Sequence, residues 1–282
     1  MGKVYMNTVR HENGVEYLRS DKISSKHGFS TRKGGVSTLP HTSSLNLAFG
    51  RGDDKETVLE NLRLFADAVG FDAEKTVSVR QVHSADVRYI DASFAGYGYF
   101  KEDTFSCDGY VTDVSGIVLG VKTADCVPII MEGCGSDGGV RAVGAAHAGW
   151  RGTVSGIAAS CFNMVKDMAG SPERVRIAIG PSICGKCFSV KEDFVDAVGK
   201  LLDKEVFDKF IIPDEQKAGV WHADLAEMNR YFLCLAGALP ENIDVSGECG
   251  CCNPDRYFSH RYGRGERGTM LSVIEMPRVS PR

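Results

Sequence analysis

A cysteine and a histidine lie on either side of one glycine-rich segment. Cys126 precedes an apolar run, His147 ends another, and both are equidistant from a point between Ser136 and Asp137. Because residues 132–139 have strong turn chemistry, the two runs are expected to form a β-hairpin. Antiparallel pairing about that centre places Cys126 directly opposite His147, with Cβ atoms roughly 4.5–5.5 Å apart. A slip of one residue would turn one of the two side chains to the other face.

A thiolate and an imidazole so close together are suited to binding zinc or copper. His83, in the strand-like segment 80–87, is the third candidate ligand. Two histidines, one cysteine and an open fourth position match a catalytic zinc, whose fourth position takes water. A lone histidine is more often structural, but three such groups together favour a metal centre. We predict a metal site of His83, Cys126 and His147, with zinc as the first expectation and copper as the second.

A carboxylate that transfers protons is expected near such a centre. Asp125 is adjacent to Cys126, and Asp108 lies in the segment 107–109. Adjacent residues on a regular strand face opposite sides, which counts against Asp125 unless the strand breaks there. A turn or a supporting role is the alternative interpretation for both aspartates.

The segment 148–153, AGWRGT, is typical of an anion-binding turn. It leads into an amphipathic helix, for which Thr153 is the predicted N-cap. Free N–H groups at a helix start beside Arg151 attract phosphate, so Arg151 and Thr153 are candidate phosphate-binding residues. Arg32 is the second phosphate candidate, and Asn46 is a candidate for ribose or base. The alternatives are a tight turn with a solvated arginine and, for Asn46, a capped loop.

Five further cysteines occur in two short segments. Cys184 and Cys187 have the spacing of a zinc knuckle, and Cys249, Cys251 and Cys252 supply additional thiols. A structural tetrathiolate zinc site, a redox pair of the first two cysteines, and thiols without metal are the alternatives. The sequence alone does not choose between them.

These candidates must be positioned by a fold of mixed strands and helices. Two hairpin-like strand pairs favour a mixed sheet, so the predicted fold class is α+β. We expect a single domain over residues 1–282, with mixed sheet layers packed against helices. The predicted strands are 116–122, 127–131, 141–146 and 175–180, and the predicted helices are 57–69, 153–168, 194–202 and 225–235.

Composition excludes several classes of function. Apolar residues make up 43% and charged residues 25%, as in soluble globular proteins. A net charge of −4 gives no electrostatic reason to expect nucleic acid, and no apolar run is long enough to span a membrane. The N-terminus lacks a signal-peptide pattern, and ten cysteines then favour a reducing, cytoplasmic location. Cys134, Cys161 and Cys234 are expected to be ordinary buried thiols.

Seven segments resemble the laccase-domain family, also named multicopper polyphenol oxidases, which includes the peptidoglycan-editing-factor proteins. The combination of ADC-x-P at 124–128 with HAGWRGT at 147–153 is the most specific part of the resemblance. The matching segments, within a core of about 27–274, are HGFSTRKGGVS (27–37), LNLAFGRGDD (45–54), RQVHSADV (80–87), VKTADCVPIIM (121–131), GAAHAGWRGT (144–153), AIGPSICGKCFSV (178–190) and RYFSHR (256–261).

The resemblance implies a zinc site of His83, Cys126 and His147 in a single α+β domain. It also implies a purine nucleoside enzyme, with phosphorolysis of adenosine, inosine, guanosine and methylthioadenosine and hydrolytic deamination of adenosine. The implied partners are a purine nucleoside and phosphate. The sequence does not indicate an oligomeric state.

The chain departs from the family pattern near its C-terminal strand. Relatives often carry Gly-Arg where this chain has Arg267, Gly268 and Thr269. This weakens any role assigned to an arginine at position 269 and makes Arg267 or Arg264 the candidate substitute.

Three other functions remain as alternatives. In a cysteine amidohydrolase acting on peptidoglycan precursors, Cys126 would be the nucleophile and His147 its base. Copper-dependent phenol oxidation is less favoured, because three ligands cannot make a multicopper cluster and the sequence offers no second His-x-His set. A non-catalytic metal-storage or partner-binding protein would leave Arg151 without a role.

Overall fold

Two six-stranded mixed sheets form the framework of the chain, which the computed structural model describes over residues 6–278. The first sheet contains, in spatial order, β1 (Asn7–Arg10), β2 (Glu16–Arg19), β3 (His27–Ser30), β15 (Met270–Glu275), β7 (Val118–Thr123) and β4 (Thr76–Val77). The second contains β14 (Ile243–Val245), β10 (Val175–Ile179), β8 (Val127–Cys134), β9 (Val140–Ala148), β6 (Gly109–Thr112) and β5 (Val87–Tyr89). A small third sheet contains β11 (Ser189–Val190), β13 (Trp221–Ala223) and β12 (Ile211–Pro213).

Alternation of side chains along the strands produces two cores, one on each face of the second sheet. Ile130 of β8 packs with Leu119 of β7, so this face meets the first sheet. The neighbouring Ile129 faces the other way and packs with Phe162. Because side chains of a strand alternate with period two, a sheet buried on both faces reads as the continuous apolar runs seen in the sequence. The predicted α+β class with mixed sheet layers is confirmed.

Residues 6–278 contain six helices, which pack on the sheets and on one another. One of them packs on the first sheet, where Leu62 and Phe65 meet Leu271 in a third core. None of these helices is both long enough and apolar enough to cross a bilayer. The helices are α1 (Lys55–Val69), α2 (Trp150–Val154), α3 (Ile157–Ala169), α4 (Glu192–Gly199), α5 (Lys204–Phe210) and α6 (Leu225–Leu235).

The helix predicted over 153–168 starts earlier and is interrupted. Its N-cap is Gly149 rather than Thr153, so the predicted N-cap is wrong. Thr153 lies inside α2, where its Oγ1 accepts a hydrogen bond from Asn229 Nδ2 at 2.9 Å. Gly156, with a φ of 84°, separates α2 from α3, and a left-handed backbone is readily adopted only without a Cβ. The predicted phosphate site depended on free N–H groups at the start of a helix over 153–168. The helix that begins in this region is instead α2, which has five residues.

Candidate metal centre

The predicted hairpin exists, but its register differs from the prediction. His147 pairs with Pro128 rather than with Cys126, which lies just before the first residue of β8. The turn is centred later than expected, at Asp137, and the register shifts by one more residue between Gly133 and Cys134. The displacement is two residues, and side chains alternate with period two. Cys126 and His147 therefore still lie on the same side of the hairpin.

His83 lies in a loop, so the strand predicted over 80–87 is wrong. The loop crosses the end of the second sheet, and the His83 backbone is left-handed with a φ of 63°. The amides of Val82, His83 and Ser84 all donate to the carboxylate of Asp108, at 3.1, 3.0 and 2.7 Å. The loop is thus wrapped around one buried carboxylate, which explains its unusual backbone.

Asp108 also holds the second histidine. Its Oδ1 accepts a hydrogen bond from His147 Nδ1 at 2.8 Å, and its backbone oxygen accepts from the His147 amide at 2.7 Å. Burial raises the pKa of Asp108, but hydrogen bonds from His147 and Ser84 lower it to about 2. Asp108 is therefore an ionised carboxylate whose bonds orient both histidines, and His147 is left with Nε2 facing the site. This environment suits positioning better than the proton transfer for which Asp108 was one of two candidates.

The three predicted ligands converge. Cys126 Sγ lies 3.9 Å from His83 Nε2, and the rings of His83 and His147 are 4.9 Å apart at their centroids. Their ligand atoms all lie within 4.8 Å of one another. Ligands bonded to one tetrahedral zinc at about 2.0–2.3 Å are themselves about 3.5 Å apart. Only small side-chain movements would therefore be needed for these atoms to share an ion.

Electrostatics at the centre favour the form of cysteine that binds metal. Burial raises the pKa of the Cys126 thiol, but the charge of His147 and hydrogen bonds with both histidines lower it to about 6. Burial lowers the pKa of His147, whereas Cys126 and Asp108 raise it to about 9. The pair thus stabilises a thiolate, and the thiolate is the ligand form of cysteine. His147 is buried, Cys126 is half-buried and His83 is exposed, so the centre is open on one side.

Asp125 lies where the chain breaks between β7 and β8. Its backbone is left-handed, with a φ of 101°, so the alternation that argued against it does not apply. Asp125 Oδ2 accepts a hydrogen bond from the Arg261 amide at 2.7 Å. Its Oδ1 is buried without a hydrogen-bond partner in the described part of the chain. A buried oxygen without a partner is available to a ligand.

Two cavities meet at His83 and Cys126. One, of about 330 Å³, has mainly apolar walls and is also lined by Asp125 and Arg151. Its apolar walls come from Val82, Trp150, Ile183, Phe188 and Leu225.

The second cavity, of about 450 Å³, is cationic and also reaches His147. Arg51, Arg80, Lys122 and Arg267 line it. Burial lowers the pKa of Lys122 to about 8, and burial together with Arg51 lowers that of Arg267 to about 10. Reasoning from sequence named only Arg267 among these four, although the other three lie inside the matched segments 45–54, 80–87 and 121–131.

The predicted substrate residues are divided by the structure. Arg151 is exposed, lines the apolar cavity, and lies 4.1 Å above the centroid of the Trp150 ring. Arg32 instead donates to the backbone oxygens of Ser43 and Pro254, at 2.8 and 2.7 Å. It is absent from the linings of both cavities, because its guanidinium is used to hold loops together.

Asn46 is also used inside the fold. Its Nδ2 donates to Ala48 O at 3.0 Å and to Asp53 at 2.8 Å, and its Oδ1 accepts from the Thr269 amide at 3.0 Å. The side chain is fully buried. The capped-loop alternative therefore describes Asn46 better than ribose or base binding.

Comparisons with known proteins show the family to which the chain belongs. A family model described as multi-copper polyphenol oxidoreductase laccase matches residues 26–277. The chain belongs to this laccase-domain family. The family resemblance read from the sequence is thereby confirmed.

Two relatives and one solved structure extend the laccase-domain assignment. The chain is 34% identical over 265 residues to a purine nucleoside phosphorylase from Deinococcus radiodurans, covering 94% of each chain. It is 36% identical over 256 residues to adenosine deaminase RL5 from an unknown prokaryotic organism, covering 88% of this chain and 94% of the relative. The crystal structure of YlmD from Geobacillus stearothermophilus matches with a TM-score of 0.84 and 34% identity, covering 97% of this chain and 100% of that chain. Of these two relatives, one is named a purine nucleoside phosphorylase and the other an adenosine deaminase.

Proposed function

We propose that this laccase-domain chain is a zinc-dependent purine nucleoside enzyme. Its reactions are the phosphorolysis of adenosine, inosine, guanosine and methylthioadenosine and the hydrolytic deamination of adenosine. The observation that carries the proposal is the placement of one open metal-ligand set, His83, Cys126 and His147, between an apolar cavity and a cationic cavity. A purine has flat aromatic faces and phosphate is an anion, so the two cavities suit the two substrates.

The ligand set fits zinc by its chemistry. Two imidazoles and a thiolate suit this ion, and a set of three leaves a coordination position open. A zinc ion held there supplies Lewis acidity to the reaction. Asp108 contributes by fixing the orientation of His147 and the conformation of the His83 loop.

The apolar cavity is proposed to hold the purine. Trp150 and Phe188 supply aromatic walls, against which a purine ring can stack. Arg151, which lies on the Trp150 ring, also lines this cavity. Asp125 then holds or moves the proton, since its free Oδ1 lies in the strand break beside Cys126. In phosphorolysis phosphate bonds to the ribose carbon as the glycosidic bond breaks, and the proton goes from phosphate to the departing purine. In deamination water adds to the purine carbon as the amine departs, and the proton goes from water to that amine.

The cationic cavity is proposed to hold phosphate. Arg51, Arg80, Lys122 and Arg267 offer several positive charges within one concave surface. Arginine pairs with phosphate oxygens through two parallel hydrogen bonds, and lysine acts as a point charge. Phosphate bound there lies next to the ribose of a nucleoside whose base occupies the neighbouring cavity. This assignment replaces Arg32 as a phosphate ligand and leaves Arg151 to the nucleoside side.

The direct test is turnover of adenosine with and without phosphate, with chromatography of the products and elemental analysis of the protein. Wild type should release adenine only with phosphate. Deamination should give inosine without phosphate, and inosine together with hypoxanthine from its phosphorolysis when phosphate is present. Cys126→Ala should lose one equivalent of zinc and both products. A wild type loaded with zinc that forms no product from any of the four nucleosides overturns the proposal.

The lowered pKa of Cys126 beside His147 favours one second candidate, a cysteine amidohydrolase. The Cys126 thiolate would attack the carbonyl of an amide, and His147, which holds the thiol proton, would give it to the departing amine. Water would then hydrolyse the acyl-enzyme. Added zinc would then occupy the nucleophile and inhibit, and a chelator would leave activity intact. Measuring amide and nucleoside turnover in the same chelator titration separates the two candidates.

A further inference from the structure

Four cysteine side chains converge behind the apolar cavity, outside the metal centre described above. The sulfur atoms of Cys184, Cys187, Cys249 and Cys252 all lie within 4.8 Å of one another. Cys252 Sγ is 3.9 Å from Cys184 Sγ and 3.4 Å from Cys187 Sγ. Two thiolates bonded at about 2.3 Å to one tetrahedral zinc are themselves about 3.8 Å apart. The sulfur separations are therefore those of ligands around one ion.

Two distant segments bring these sulfurs together. The loop after β10 and the segment after β14 are joined through Ser182, whose amide donates to Glu248 O at 3.1 Å and whose oxygen accepts from the Gly250 amide at 3.3 Å. Each segment contributes one C-x2-C pair, the ligand spacing of zinc ribbons. Backbone hydrogen bonds, rather than side-chain contacts alone, thus bring the four sulfur atoms together.

The backbone also surrounds the buried sulfur with donors. The amides of Cys184 and Cys252 both donate to Cys249 Sγ, at 3.3 and 3.4 Å. N–H groups aimed at a sulfur stabilise a thiolate, as partners of metal ligands commonly do. Cys249 is buried, whereas Cys252 is exposed, so the cluster is anchored inside and reachable from solvent. A disulfide needs only two cysteines, and four thiolates without a cation would repel one another.

We propose that Cys184, Cys187, Cys249 and Cys252 form a second, structural zinc site with four thiolate ligands. The ion joins the loop after β10 to the segment after β14. Because all four positions are filled by protein, the site takes no substrate. This proposal does not depend on the nucleoside activity.

The site has a role that follows from its neighbours. Ile183 and Phe188, on either side of the first cysteine pair, line the apolar cavity. The Ile183 amide donates to Asp125 O at 2.8 Å, and Arg261 Nη1 donates to Cys187 O at 2.8 Å while its amide holds Asp125 Oδ2. The zinc-bound loop therefore supports one wall of the cavity and the residue proposed to move protons.

Metal stoichiometry tests the site with a closely matched control. Cys252→Ser removes a proposed ligand, whereas Cys251→Ser changes the neighbouring thiol, which is outside the group of four. Wild type and Cys251→Ser should hold two zinc ions per chain, and Cys252→Ser and Cys126→Ala should each hold one. A wild type with a single zinc that Cys126→Ala abolishes, or equal loss in the two serine variants, overturns the proposal.

Two measurements on wild type keep the proposal testable if a variant fails to fold. Replacing zinc with Co²⁺ should give thiolate-to-metal charge transfer far stronger than a single cysteine produces. After chelation and unfolding, thiol titration should find all ten cysteines reduced. Two fewer thiols than ten would show a disulfide instead, and iron in place of zinc would show a different cluster; either result overturns the assignment.

Discussion

Two groups of candidate metal ligands in this molecule are built in opposite ways. The group His83, Cys126 and His147 has three ligands of two types and opens onto two cavities. The group around Cys249 has four identical ligands, and none of them lines either of those two cavities. Catalytic zinc sites leave a position open, and structural sites fill all four. The number of ligands and the access of substrate to the site, rather than the presence of cysteine, therefore distinguish a catalytic site from a structural one.

The supports of the two groups differ as well. Histidines need their second ring nitrogen held, and buried Asp108 does this for His147 while fixing the loop of His83. Cysteine has no second nitrogen, and Cys249 is instead held by two backbone amides. An open centre thus depends on one particular carboxylate, whereas a closed centre depends on the course of the backbone.

The largest expected effect separates the two groups directly. Cys126→Ala removes a proposed metal ligand and should reduce nucleoside turnover by at least about 10⁴-fold. Loss of one proton-transfer group costs up to about this much, and we expect loss of the metal to cost no less. Cys252→Ser should retain measurable turnover, since its sulfur lies outside both cavities. Steady-state kinetics on both variants checks this. Equal losses would mean that the two groups are not functionally distinct.

Asp125→Asn should have the next largest effect. Turnover should fall by about 10²–10⁴-fold, because the amide cannot transfer the proton, while the zinc content stays that of wild type. Kinetics and elemental analysis on the same preparation provide the measurement. Loss of zinc together with turnover would instead assign Asp125 to the metal site.

Asp108→Asn should weaken zinc at the open group only. Affinity should fall by about 10–100-fold, because the amide no longer holds His147 as a carboxylate does. Competition with a chromogenic chelator measures this, and zinc at the cysteine group should dissociate as in wild type. Asp86→Asn is the matched control, an exposed aspartate of the same region. A similar loss in the control would point to general loosening of the loop.

The smallest effect is on thermal stability and concerns the closed group. Zinc at about 100 times its dissociation constant stabilises a fold by about 2.7 kcal/mol. For a chain of this size, such a loss lowers Tm by roughly 5 °C. Cys252→Ser should show this decrease in calorimetry with zinc present, and Cys251→Ser should not. A Tm equal to that of wild type in both variants would argue against a structural ion.

The spacing of apolar residues along the chain predicted most of the helices and strands named from the sequence. The helix over 57–69 is observed as Lys55–Val69, with Asp54 capping its start and Gly70 ending it in the left-handed conformation. The four predicted strands all exist, with ends displaced by a few residues. These features depend on side chains close together in sequence, and periodicity reports such contacts directly. Periodicity did not predict the interruption at Gly156, because the helical spacing of apolar residues continues from α2 into α3.

By itself the sequence determined the candidate ligand types, the hairpin and the α+β class, because each depends on residue chemistry or short-range periodicity. Only the tertiary structure decided the two-residue displacement of the hairpin, the role of Asp108 and the use of Arg32 for loop contacts. It also brought the four cationic side chains to one cavity. These outcomes arise where separate layers and loops meet. Contacts between residues far apart in the chain produce no periodic pattern in the sequence, so only the packed structure shows them.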